Sequence, residues 1–152
     1  MNIIGVIPAR MGSTRFPGKP MKKIHGIPMI GHCYHRTAMA LGVDATYVAT
    51  CDIEIAEYIN SIGGRAIMTS NTHTRATTRT AEALEKIEQE TDEKVDIVVM
   101  VQGDEPLILP ETIREVTPEF KDKSVNIVNI MSRLTTEESF KDVNNVKVVI
   151  AN

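Results

Sequence analysis

The sequence predicts an α/β protein built on a doubly wound, mostly parallel sheet. Two observations carry that prediction. Short apolar runs alternate with longer stretches of helical periodicity along the 152 residues, the pattern of a sheet covered by helices on both faces. A basic, glycine-bearing loop also follows the first apolar run, where sheets of this kind hold phosphates.

Taken in order, Asn2 to Ile7 reads as a buried strand ending at Pro8. Ile24 to Pro28 is a turn, and Pro28 suits the first position of a helix running to about Leu41, with Gly42 as its stop. Ala45 to Thr50 is a second strand. Asp52 then caps a helix whose apolar stripe is Ile55, Ile59 and Ile62, ended by Gly63-Gly64. Ala66 to Ser70 is a third strand, followed by a polar loop and a helix from about Thr78 to Glu90. Asp96 to Val101 is a fourth, strongly hydrophobic strand, and Pro110 starts another helix. Val125 to Met131 is expected as a fifth strand, Thr136 to Lys141 as a short helix and Val146 to Ala151 as a sixth strand. No linker, repeat or low-complexity tract interrupts the series, so residues 1–152 are expected to form one domain. The last strand stops at the end of the sequence, which leads us to expect a further C-terminal portion.

Composition narrows the partners. A net charge of −3 and 4% aromatic residues argue against a nucleic-acid surface, which needs basic patches and stacking rings. The longest apolar run, Ile97 to Val101, suits a buried strand and not a membrane span. Cys33 and Cys51 lack metal-site spacing and read as reduced thiols of a cytoplasmic protein.

The loop from Arg10 to Lys19 carries Gly12, Gly18, Ser13, Thr14 and the cations Arg10, Arg15 and Lys19. Glycines let backbone N–H groups approach a ligand, and cations neutralise oxyanions. It is no P-loop: five residues separate its glycines, and Pro20 follows Lys19 where Ser or Thr is required. The dinucleotide pattern GxGxxG is absent as well. This loop, the His73 to Arg79 loop and Gln102-Gly103-Asp104 all follow strands, so they are expected to share one crevice. Asp104, facing a cationic loop, is well placed to hold Mg²⁺ against phosphate oxygens, and Gln102 can read a base or sugar edge. Chemistry of this kind needs positioning and charge neutralisation more than a nucleophile–base pair. For Arg79 the alternative is a surface ion pair in a helix's first turn. His73 is expected to make a loop hydrogen bond, and the Glu82 to Glu93 run is expected to be a solvated helix face.

The segments PARMGSTRFPGKP, Val48-Ala49-Thr50, Gly63-Gly64, Met68-Thr69-Ser70 with His73, VQGDEPLI and NNVKVV together resemble the 3-deoxy-manno-octulosonate cytidylyltransferases. The resemblance implies a Rossmann-like sheet of the sugar nucleotidyltransferase type. It also implies transfer of CMP from CTP to the anomeric hydroxyl of an acidic sugar, with Mg²⁺, in a cytoplasmic homodimer. By motif, Arg10, Lys19 and Asp104 are the catalytic set, with Asp104 the metal ligand. Ala9, Arg10, Gly12, Ser13, Arg15, Lys19, Thr77, Arg79 and Gln102 are the nucleotide-binding set. The sequence departs from the family at Arg75-Ala76-Thr77-Thr78-Arg79, where the family carries Ser-Gly-Thr, an acid and Arg, and at Cys51, where an acid is common. The alternative function is a nucleotide-binding unit without turnover.

Overall fold

The computed structural model describes residues 1–12 and 16–148, and divides the chain into two compact units, Met1–Pro118 and Glu119–Asn152.

In the first unit, β1 (Ile3–Ala9), β4 (Ala45–Thr50), β5 (Arg65–Met68) and β6 (Ile97–Met100) form a sheet of order β5-β4-β1-β6, with β2 (Lys23–Ile24) and β3 (Ile27–Pro28) as a separate small hairpin. Every pairing in the larger sheet is parallel. The register sets Ala9 beside Thr50 and Thr50 beside Met68, so the carboxyl ends of three strands lie level. Alternate residues of the central strands face opposite sides, as the two-residue period requires. Ile7, Ala9 and Val48 pack with α1 (Met29–Ala38), α2 (Ile53–Ser61) and α4 (Pro110–Val116), through Ile30, Cys33, Ile55, Ile59 and Ile113. Ile4, Val6, Tyr47, Ala49 and Ile67 pack on the other side with Ala83 and Ile87 of α3 (Ala76–Thr91). Both faces of the sheet are thus covered, the doubly wound arrangement that the alternation of elements predicts.

Local differences have local causes. Pro28 closes the hairpin and precedes the helix by one residue, because it is still extended (ψ 142°) and pairs with Lys23 across the hairpin. Asp52 occupies the cap position of α2 but its side chain makes no cap bond. Its Oδ2 instead accepts from the Met11 N–H at 2.8 Å, tying the end of β4 to the first loop. Helix α3 begins at Ala76, two residues before the expected Thr78, because Arg75 is the extended residue that precedes it.

The second unit, 119–148 as described, contains one regular helix, α5 (Glu137–Lys141), capped by Thr136, whose hydroxyl accepts from the Ser139 N–H at 3.1 Å. The expected fifth strand, 125–131, is irregular, and Ile127 is 78% exposed. Its apolar residues have the strand pattern, but among the described residues it finds no partner ladder, and an unpaired strand does not persist. Of the expected sixth strand, 146–148 carry no strand, and Val149 to Ala151 lie outside the described residues.

Candidate functional site

Three loops meet beyond the carboxyl ends of β1, β5 and β6 around a cavity of about 620 Å³. Ala9, Arg10, Gly12 and Lys19 line it from the first loop, His73, Thr74, Arg75, Ala76 and Arg79 from the segment after β5, and Gln102, Gly103 and Asp104 from the segment after β6. Of the residues selected from sequence, the fold therefore gathers seven: Ala9, Arg10, Gly12, Lys19, Arg79, Gln102 and Asp104. Thr77 is exposed on the first turn of α3 and does not line the cavity. Ser13 and Arg15 lie outside the described residues.

The loops approach because the backbone permits it. A Cβ on Gly103 would stand 2.7 Å from the Pro8 carbonyl oxygen, closer than real contacts allow, so any side chain there would push the β6 loop off the end of β1. Gly18 has φ of +69°, the left-handed region, and its N–H donates to the Met11 carbonyl at 3.0 Å. That bond closes the first loop and turns Lys19 toward the cavity, where its Nζ donates to Asp104 Oδ2 at 2.9 Å. Both partners remain solvent-accessible, so the pair is weak and easily exchanged for other partners.

Arg79 is held differently. It is 3% exposed, which corrects the surface ion pair considered for it. Its Nη1 donates to Thr69 Oγ1 at 2.5 Å and its Nη2 to Cys51 Sγ at 3.5 Å, and it makes no ion pair among the described residues. Arg79 lies in the first turn of α3, which begins at Ala76, and its bond to Thr69 turns it toward the end of β5.

Sequence reasoning missed Glu82. Its carboxylate accepts from the Ser70 N–H at 2.9 Å, from His73 Nε2 at 2.5 Å and from Lys86 Nζ at 2.8 Å. The lysine bond, then His73 and the Ser70 amide, hold its pKa down at about 2. The start of the Glu-rich run is therefore a loop anchor and not a solvated face. The only signal in sequence is the Glu82/Lys86 spacing; the partners at 70 and 73 depend on how α3 folds back along β5. His73 does bond within its loop, as expected: Nδ1 meets Thr78 Oγ1 at 3.0 Å.

Among the described residues no group of three or more His, Cys, Asp or Glu side chains is assembled for a metal, and no helix is long and apolar enough to cross a membrane. Asp104 alone still fits a magnesium ion that draws its other ligands from water and substrate phosphates, since Mg²⁺ commonly takes one or two carboxylates from the protein.

A parallel sheet with a cationic cavity beyond its carboxyl edge defines an α/β protein of the nucleotide-handling type. Residues 4–152 match the family model described as Cytidylyltransferase, and the chain belongs to that family. It is 47% identical to the 3-deoxy-manno-octulosonate cytidylyltransferase of Bradyrhizobium diazoefficiens, over 90% of this chain and 54% of that protein. To the enzyme of the same description from Geobacter metallireducens it is 45% identical, over 98% and 57%. A solved structure of CMP:2-keto-3-deoxy-manno-octonic acid synthetase complexed with CTP superposes with a TM-score of 0.74 at 39% identity, covering 82% of this chain and 49% of that one. The chain thus spans little more than half the length of the curated relatives it matches.

Proposed function

We propose that this chain is the nucleotide-binding part of a cytidylyltransferase that moves CMP from CTP to the anomeric hydroxyl of an acidic sugar such as 3-deoxy-manno-octulosonate. The observation that carries the reading is the convergence of Arg10, Lys19, Arg79 and Asp104 on one cavity at the carboxyl edge of a parallel sheet. Kinship with enzymes described as acting on this sugar supports the choice of acceptor, and CTP in the related structure supports the choice of donor.

The reaction forms a bond from the anomeric oxygen to the α-phosphorus of CTP and breaks the bond from that phosphorus to the bridging oxygen. Pyrophosphate leaves with the electron pair, and the hydroxyl proton passes to water. Lys19, released from Asp104, and Arg10 neutralise the charge that grows on the departing pyrophosphate. Arg79 offers a fixed, buried guanidinium whose charge an incoming anionic or carbonyl group would balance. Magnesium, held by Asp104 and phosphate oxygens, would supply further charge neutralisation. For the whole protein, a cytoplasmic homodimer is the reading that the resemblance supports.

The test is pyrophosphate release from CTP, Mg²⁺ and the sugar, with the full-length protein beside the 152-residue chain. The expected result is release by the full-length protein that Asp104→Ala abolishes. CTP binding without release by either form would assign a binding unit and not a transferase.

A further inference from the structure

The carboxylate of Glu82 reaches the cavity only through other groups, and the route can be followed atom by atom. It accepts from the Ser70 backbone and the His73 ring at once, which fixes both ends of the turn after β5. Lys86, one helical turn on, donates both to Glu82 and to the Met68 carbonyl at 2.7 Å, so the same carboxylate is locked to the strand's last residue. The His73 ring is held from its other side by Thr78. With ring and neighbouring backbone fixed, the His73 carbonyl has a defined position, and it accepts from Arg10 Nη1 at 3.4 Å across the cavity. Arg10 is otherwise exposed and has no ion pair among the described residues.

We propose that Glu82 is a positioning residue: it sets the 70–73 segment so that the His73 carbonyl holds the Arg10 guanidinium at the cavity wall, ready for the anionic chain of a nucleotide. A long arginine side chain loses rotamer freedom when it binds. An acceptor that holds it beforehand takes part of that loss in the free protein and tightens binding. The inference rests on the reading of Arg10 as a phosphate ligand.

A double-mutant cycle tests it, with CTP and Mg²⁺ as the probe. Glu82→Ala is expected to weaken CTP binding about tenfold, and the loss is expected to shrink to less than about twofold in the Arg10→Ala background, because the group it positions is gone. In the Lys19→Ala background the tenfold loss is expected in full. Glu82→Gln keeps an oxygen for the Ser70 amide and is expected to recover part of the binding, which also separates positioning from misfolding. A Glu82→Ala loss that persists undiminished without Arg10 overturns the proposal and leaves the Arg10 reading intact. No effect of Arg10→Ala alone sinks that reading instead. Without any ligand, NMR exchange of the Arg10 Nη protons is expected to quicken in Glu82→Ala; unchanged exchange also overturns the proposal.

Discussion

Two cations of one cavity are held in opposite ways. Lys19 stands at an exposed mouth, paired with the Asp104 carboxylate at 2.9 Å. Arg79 is enclosed between the ends of β4 and β5, where a thiol and a hydroxyl take its N–H groups and no carboxylate among the described residues answers its charge. An exposed pair contributes about 0–1 kcal/mol to folding, whereas a buried charge without a counter-ion costs stability that the rest of the fold must supply. The contrast shows that closeness to a ligand and contribution to stability are separate properties. The exposed cation is free to change partners, and the buried one waits in a fixed place.

The largest expected effect lies at the exposed site. Lys19→Ala removes a charged donor to phosphate and is expected to lower CTP affinity about 30-fold, the equivalent of about 2 kcal/mol. Its unfolding free energy should change by less than about 1 kcal/mol. Calorimetric titration and urea unfolding of the same variant check both halves. A variant that unfolds easily would show that the ion pair fastens the two loops and would remove the contrast.

Arg79→Met comes next. Methionine keeps much of the volume and deletes the unanswered charge. CTP affinity is expected to fall about tenfold, while the midpoint of thermal unfolding should hold or rise. A marked drop in that midpoint would mean that the bonds to Thr69 and Cys51 outweigh the cost of burial, so that both cations are structural in the same sense.

Legibility followed the range of the interaction. The strand at Ala45–Thr50 was readable to the residue, because its apolar pattern, bounded by Gly42 and Asp52, is local. The turn at His25-Gly26 was readable for the same reason. The segment 125–131 was not, since periodicity describes a strand's faces and says nothing about whether a neighbour exists to pair with it. At the cavity, Arg10, Lys19 and Asp104 stood out because charge, glycine and position beyond a strand coincide in short motifs. For Arg79, selected as a nucleotide ligand, a surface ion pair stayed open as the alternative because its burial depends on the approach of the Thr69 hydroxyl and the Cys51 thiol, and Cys51 is 28 residues away in the chain. Glu82 was lost within a run of like residues for a related reason: its partners at Ser70 and His73 lie on the far side of a loop.

The smallest effect concerns the segment beside Arg79 and depends on acidity. Lys86, His73 and the Ser70 amide lower the Glu82 pKa from its ordinary 4.5 to about 2. A carboxylate whose pKa is lower folded than unfolded stabilises the fold above its unfolded value and loses that contribution as pH falls toward the folded one. Glu82 therefore holds the segment fully above about pH 4.5 and releases it between there and about pH 2. Glu88 is also lowered, through Lys94 and the Val95 amide, so a global acid unfolding curve would mix the two. Hydrogen exchange at the Ser70 amide separates them, because that N–H donates to Glu82 itself. Its protection is expected to decline through this acid window in the native chain and to stay flat with pH in Glu82→Gln, whose amide oxygen still accepts from Ser70 but does not titrate. Protection that declines equally in both proteins would show that the segment is held by something other than this carboxylate.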